Sequence, residues 1–196
     1  MVSELPPLLI RADASTRMGS GHLMRCLALA QGWKERGGPV FFLSSCPRAL
    51  RQRIESTGLT FLPLQEIHPD PHDLEQTLSH LEQIAARSSL VPWVVIDGYH
   101  FDATYYQAIR AKGYQVLVID DTAHLPRYDA HIVLNQNLFA DLRAYRCAPE
   151  TLLLLGPRYV LLRPEFLAWQ NRKRSFPQIA RRVLVTLGGS DPDNVT

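Results

Sequence analysis

The sequence predicts an α/β protein built on a doubly wound parallel sheet. Three observations predict it. Short apolar runs alternate with helical patterns through the first 135 residues; the runs "WVVID" and "VLVID" are apolar without alternation; and glycines fall where the intervening helices should stop. Strands apolar on both sides need cover on both faces, and helical crossovers between parallel strands provide it.

Taken in order, the strands are "LLIRA" (8–12), "VFFLS" (40–44), "TFLPL" (60–64), "WVVID" (93–97), "VLVID" (116–120) and "HIVLN" (131–135). Between the first five lie helical segments at 22–36, 48–57, 73–87 and 103–112. The pair "GG" at 37–38, Gly58 and Gly113 mark three helix C-termini, where a residue with positive φ closes the last turn. Beyond 135 the rhythm changes. "LLLLGPRYVLLRPEF" gives two short apolar pieces parted by Gly-Pro, and "EFLAWQNRKR" reads as a connecting helix. "RRVLVTLGGSDPDNVT" then opens a new strand at 183–187, a glycine turn and the cap of another helix. The expected division is a sheet domain over 1–164, a linker over 165–180, and only the start of a second domain over 181–196.

Composition sets bounds on function. The chain has 196 residues, 46% hydrophobic and 20% charged, the profile of a globular protein. No apolar run approaches the roughly 18 residues of a membrane span, and the first ten residues lack the pattern of a signal peptide, so a cytoplasmic protein without a membrane partner is expected. Lys+Arg number 21 against Asp+Glu 19, a net charge of +2, too mild to argue for nucleic acid. The basic stretch "NRKRSFPQIARR" reads as a solvated connector. Three cysteines (Cys26, Cys46, Cys147), without C-x-x-C spacing, are expected to be reduced, mostly buried thiols.

Open parallel sheets bind ligands beyond the carboxyl ends of their strands, and here those ends are polar. Strand one leads into residues 13–22, strand four into "DGYHFD", strand five into "DDTAH" and strand six into "NQNL". Asp102 and Thr122 read as cap or turn residues. The loop "GSGH" lacks the third glycine of a dinucleotide fingerprint and the chain has no P-loop, so NAD and ATP lose their usual signals and no cofactor is expected. What remains are small residues that let an anion approach backbone N–H groups at a helix start. His22 sits there, where the helix dipole favours the neutral imidazole that accepts a proton. Asp13 is placed to orient the ring from its other nitrogen. Arg25 follows one turn later on the same face, available for a carboxylate or phosphate. "DDTAH" (Asp120, Asp121, His124) is a weak metal pattern, and Asp120 reads rather as a tie between strand five and neighbouring loops; no metal site is expected. "HPDPHD" (68–73) reads as a proline-broken loop with surface histidines and no assigned role.

At these residues the chain resembles a known family. "RADASTRMGSGHLMRCLALA" is similar to the opening signature R-x-D-x-S-x-x-I-G-x-G-H-x-x-R-x-L-x-L-A of the pseudaminic-acid pathway sugar-nucleotide hydrolases, with Met18 in place of isoleucine. "VVIDGYHFDATY", "VLVIDDTAH", "HIVLNQNL", "LLLLGPRYVLLRPEF" and "VLVTLGGSDPDNVT" follow in matching order, so the resemblance spans nearly the whole chain. It implies a GT-B architecture, related to the MurG glycosyltransferases, of which residues 1–164 would be the Rossmann-like N-terminal domain. It also implies metal-independent hydrolysis of UDP-2,4-diacetamido-2,4,6-trideoxy-β-L-altropyranose to free sugar and UDP, with C–O cleavage and inversion. By that resemblance His22 is the general base. Asp13, Gly19, Gly21, Arg25, Tyr99, Asn135, Asn137 and Arg163 are substrate-binding, and Gly188, Gly189, Ser190 and Asn194 nucleotide-binding. Two readings stand beside it: a GT-B glycosyltransferase acting on a UDP-sugar, and a truncated, non-catalytic remnant.

Overall fold

The computed structural model describes residues 4–142, 144–173 and 175–186. Seven strands form one sheet in the order β3-β2-β1-β4-β5-β6-β7, every neighbouring pair parallel. The strands are β1 (Leu8–Ala12), β2 (Val40–Ser44), β3 (Thr60–Pro63), β4 (Trp93–Asp97), β5 (Gln115–Ile119), β6 (Ile132–Asn135) and β7 (Leu152–Leu155). The helices are α1 (Gly21–Glu35), α2 (Arg48–Ser56), α3 (Asp73–Ala85), α4 (Ala103–Ala111) and the short α5 (Pro164–Leu167). This is a doubly wound, Rossmann-like α/β fold.

Each face of the sheet carries its own core. Alternation along β1 sends Leu8, Ile10 and Ala12 toward Leu23, Cys26, Leu27 and Ala30 of α1. Leu9 joins the opposite layer, with Leu81 and Ile84 of α3 and Tyr105, Tyr106 and Ile109 of α4. Ladders central to the sheet are buried on both sides, which is why "WVVID" reads as a continuous apolar run. Truncating a fully buried leucine such as Leu27 should cost about 2–5 kcal/mol. Three helices stop where their glycines predicted: Gly37, Gly58 and Gly113 each follow the C-cap with positive φ, returning an N–H to a carbonyl of the last turn.

Three expectations about the C-terminal part are corrected. The first apolar piece after residue 135 is a strand: Leu152–Leu155 adds β7 to the edge of the sheet, parallel to β6. The connecting helix over 165–174 is a single turn, Pro164–Leu167. Phe166, Leu167 and Trp169 remain 53%, 46% and 59% exposed, and a helix that buries no face has little to hold it. The strand expected at 183–187 is not formed over its described part. Val183, Leu184 and Val185 are 80%, 89% and 65% exposed, and no strand among the described residues pairs with them, so the ladder that would stabilise an extended segment is missing. Leu187 lies outside the described residues.

Candidate functional site

Sheet order places the site. From β1 the chain winds outward to β2 and β3; from β4 it winds the other way to β5, β6 and β7. The two halves part between β1 and β4, and loops leaving their carboxyl ends diverge to open a crevice at this switch point. From β1 come Asp13, the loop over 14–20 and α1; from β4 come Asp97, Gly98, Tyr99 and His100. A cleft of about 720 Å³ lies there, walled by residues 15–18, His22, Ile67, Tyr99 and His100.

His22, the second residue of α1, sends Nδ1 to Oδ1 of Asp97 at 2.7 Å. This corrects the expectation that Asp13 orients the ring. Asp97 ends β4, paired in register with Ala12, so its fully buried carboxylate sits beside the start of α1. A carboxylate only accepts hydrogen bonds, so Nδ1 carries the proton and Nε2 is left as the acceptor of the neutral ring. Nε2 makes no hydrogen bond among the described residues. The ring edge of His22 meets Tyr99 with centroids 5.0 Å apart.

Arg25 fixes the other side of Asp97. Its Nε and Nη2 donate to Oδ2 and Oδ1, each at 2.6 Å, and Nη1 donates to Asp121 at 3.0 Å. The guanidinium expected to be available for a substrate anion is thus engaged by two of the protein's own carboxylates. Burial opposes its charge, but Asp97 and Asp121 outweigh that and raise its pKa. Asp121 also accepts from the Tyr99 hydroxyl. Burial and this carboxylate push the phenol pKa up, so Tyr99 is a hydrogen-bond donor at neutral pH. Asn137 reaches Asp121 as well. Asp97 and Asp121 were not singled out in the sequence; the signal for the first was an acid closing an otherwise apolar strand.

Asp13 belongs to a second buried network. Arg11, wholly buried in β1, donates to both oxygens of Asp13 at 2.6 and 2.8 Å, and to both oxygens of Asp73 at 2.9 and 2.8 Å. Its guanidinium lies over the Phe101 ring, 5.0 Å from the centroid. Asp13 further accepts from the backbone N–H of Ser45 and of His68, and Asp73 bonds His68 Nδ1 at 2.7 Å. The "HPDPHD" stretch, expected to be a surface loop, therefore supplies two members of a buried ion network. A buried arginine needs paired acids, and that requirement was the overlooked signal. Burial raises the Asp13 and Asp73 carboxyls while Arg11 and the histidines beside them lower both, and the lowering wins.

The remaining sequence-derived residues are spread along the same sheet edge. Gly19, at φ 78°, closes the loop before α1 by returning its N–H to Ser15 at 2.8 Å, and Gly21 is the first residue of α1. Asn135 is buried at the end of β6, its side chain bonded to Tyr145 and to the N–H of Asn137. Arg163 lies over Phe166 and is not among the residues walling the cleft. Gly188, Gly189, Ser190 and Asn194 lie outside the described residues. Asp102 caps α4 through the Tyr105 N–H. Asp120 ties its own turn together, accepting from Thr122, Ala123, His124 and Tyr128, as the sequence suggested. Among the described residues no group of three or more His, Cys, Asp or Glu is placed to hold a metal, and no helix is long and apolar enough to cross a membrane. Cys26, Cys46 and Cys147 are free thiols.

No protein-family model matches the chain. It is 25% identical over 193 residues to an uncharacterized protein of Methanocaldococcus jannaschii, a match that covers 95% of this chain and 37% of that protein. The chain thus spans little more than a third of that relative's length. Among solved structures it is similar to Acinetobacter baumannii MurG, with TM-score 0.45 and 16% identity over 72% of this chain and 44% of that one. It is also similar to a glycosyltransferase from Rickettsia africae, with TM-score 0.45 and 12% identity over 60% and 30% of the two chains.

Chemically, the arrangement offers one imidazole held in a fixed tautomer by a buried carboxylate, with its basic nitrogen directed away from that support. Beside it, α1 begins with no acidic residue in its first turn and no side-chain cap, so N–H groups at its positive end remain for a ligand. A proton acceptor next to an anion-favouring helix start suits removal of a proton from water or a hydroxyl while an anionic group departs.

Proposed function

We propose that this cleft serves hydrolysis of a UDP-linked diacetamido-trideoxy-hexose, UDP-2,4-diacetamido-2,4,6-trideoxy-β-L-altropyranose, to free sugar and UDP in cytoplasmic pseudaminic acid biosynthesis. The observation that carries the reading is the His22–Asp97 pair at the mouth of the G-x-G-H loop, Nδ1 to Oδ1 at 2.7 Å. Water loses its proton to His22 Nε2 as its oxygen bonds the anomeric carbon, and the C–O pair leaves with the diphosphate, inverting the centre. Asp97 stabilises the imidazolium so formed, as carboxylates do behind catalytic histidines. A positioned base of this kind contributes about 10²–10⁴-fold. UDP is a stable leaving group, so N–H groups at the start of α1 need only stabilise its charge. The nucleotide share assigned to Gly188, Gly189, Ser190 and Asn194 belongs to the same proposal, as does the contribution of Arg163.

Hydrolysis in ¹⁸O-labelled water tests it. Label is expected in the sugar and not in UDP, and free sugar is expected without any added acceptor. Label in UDP would overturn attack at carbon, and turnover only with an acceptor would make the protein a glycosyltransferase.

A further inference from the structure

The cleft is walled by two imidazoles, and their supports cross. His22 follows β1 and is held by Asp97 of β4; His100 follows β4, and its Nε2 lies 3.5 Å from Oδ2 of Asp13, which follows β1. The two pairs straddle the switch point as near mirror images. His100 Nε2 is buried and makes no hydrogen bond of ordinary length, so its ring is aimed at Asp13 without being consumed by it. Gly98 makes room for this placement. A Cβ there would stand 2.4 Å from Cε1 of His100, and φ is +154°, a combination only glycine tolerates. The ring leans on Phe101 at 4.4 Å and on His68 at 5.6 Å, while its accessible edge faces the cleft.

The cleft wall carries no Asp or Glu. Each nearby acid stands behind a cation or an imidazole: Asp97 behind His22 and Arg25, Asp13 behind Arg11 and His100. The wall itself presents Arg17, two imidazoles and the start of α1. Such a surface takes an anion. We propose that His100 is a second functional residue of this cleft, hydrogen-bonding a phosphate or diphosphate group of the ligand, with Asp13 as its positioning residue. In the complex the ring is imidazolium, Nε2–H toward Asp13 and Nδ1–H toward the anion. The role rests on the hydrolase reading: water's proton goes to His22, the C–O electron pair goes to the departing oxygen, and His100 donates a hydrogen bond to that oxygen without giving up its proton.

The test is titration of the whole chain with inorganic pyrophosphate, followed by calorimetry and by ¹³C-histidine NMR. The His100 signal is expected to move in a saturable way, and His100→Ala to weaken pyrophosphate binding at least ~10-fold, the value of a charge-assisted bond. His100→Asn should recover part of the loss. Gly98→Ala, which keeps His100 but denies its ring this position, should weaken binding comparably while the far-UV spectrum stays native. His22→Asn should leave pyrophosphate affinity within ~3-fold. The proposal is overturned if folded chain binds no pyrophosphate, if the His100 signal stays still, or if His100→Ala binds within ~2-fold of wild type. A His100-dependent anion site in a protein that hydrolyses no UDP-sugar would sink the hydrolase reading alone; hydrolysis with pyrophosphate binding indifferent to His100 would sink this one alone.

Discussion

His22 and Asp97 are 75 residues apart in the chain and 2.7 Å apart in space, Nδ1 to Oδ1. The pair exists because β1 and β4 are neighbours in the sheet, their last residues in register, while the helix that follows β1 starts above the end of β4. One carboxylate thereby fixes the tautomer of the imidazole and holds Arg25 beside it.

Replacing His22 with Asn in an active form of the enzyme should leave the start of α1 intact and remove the proton acceptor. The expected result is a fall in kcat of at least ~10² with KM changed little, the mark of a lost transition-state interaction. Steady-state kinetics decide it; near-normal kcat would take His22 out of the mechanism.

Asp97→Asn should cost both activity and stability. The amide can offer a donor to Nδ1 and so favour the wrong tautomer, while Arg25 keeps only Asp121 as a charged partner. Removing one member of a buried ion pair costs about 3–5 kcal/mol, and Asp121 should hold the loss toward the lower end. Urea unfolding gives the stability change and kcat the chemical one. Full stability in the mutant would mean that the ion pair contributes nothing net.

Acid should unfold the protein through its paired carboxylates. Asp13, Asp73, Asp120 and Asp121 all have folded-state pKa values below the ordinary 3.8. Such groups bind protons more readily unfolded than folded, so their stabilisation is fully present above that value and is lost as pH falls through the lowered ones. Thermal melts should be flat in this contribution down to about pH 5 and fall steeply below about pH 4. Asp73→Asn should soften the acid fall and lower stability at pH 7, since Arg11 then keeps Asp13 alone. An unchanged acid limb in that mutant would contradict the assignment.

Cys26 should be inert in the folded chain. Burial and the neighbouring Asp97 raise its thiol pKa well above the usual value, so neither thiolate nor access is provided. Native alkylation read by mass spectrometry should label Cys46 and Cys147, both partly exposed, before Cys26, and Cys26 only on unfolding. Early labelling of Cys26 would show that the packing of α1 on β1 opens readily.

Much of the architecture was legible in the sequence because it is written locally. Apolar runs of strand length, helical periodicity between them and the stopping glycines are short-range patterns, and they located six strands and four helices within about two residues at their ends. His22 was equally legible, since a histidine after a small, glycine-bearing loop marks a helix start by itself. The acid behind it was not. Asp13 is nine residues from His22 in the sequence and was the natural guess, yet the fully buried Arg11 claims it, together with an aspartate from a loop that read as surface.

The sequence by itself determined which segments are strands and helices, which ends of the strands are polar, and that a basic side chain waits at the start of α1. Only the tertiary structure decided the partners: Asp97 for His22, Asp121 for Arg25, Asp73 for Arg11, Asp13 for His100. It also decided that 152–155 joins the sheet whereas 183–186 pairs with no strand among the described residues. The reason is physical. A helix or strand is favoured by residues a few positions apart, but an ion pair or a sheet edge joins groups tens of residues apart. Burial leaves an unpaired charge or strand too costly to keep, and which groups are buried together is set by the order of strands in the sheet.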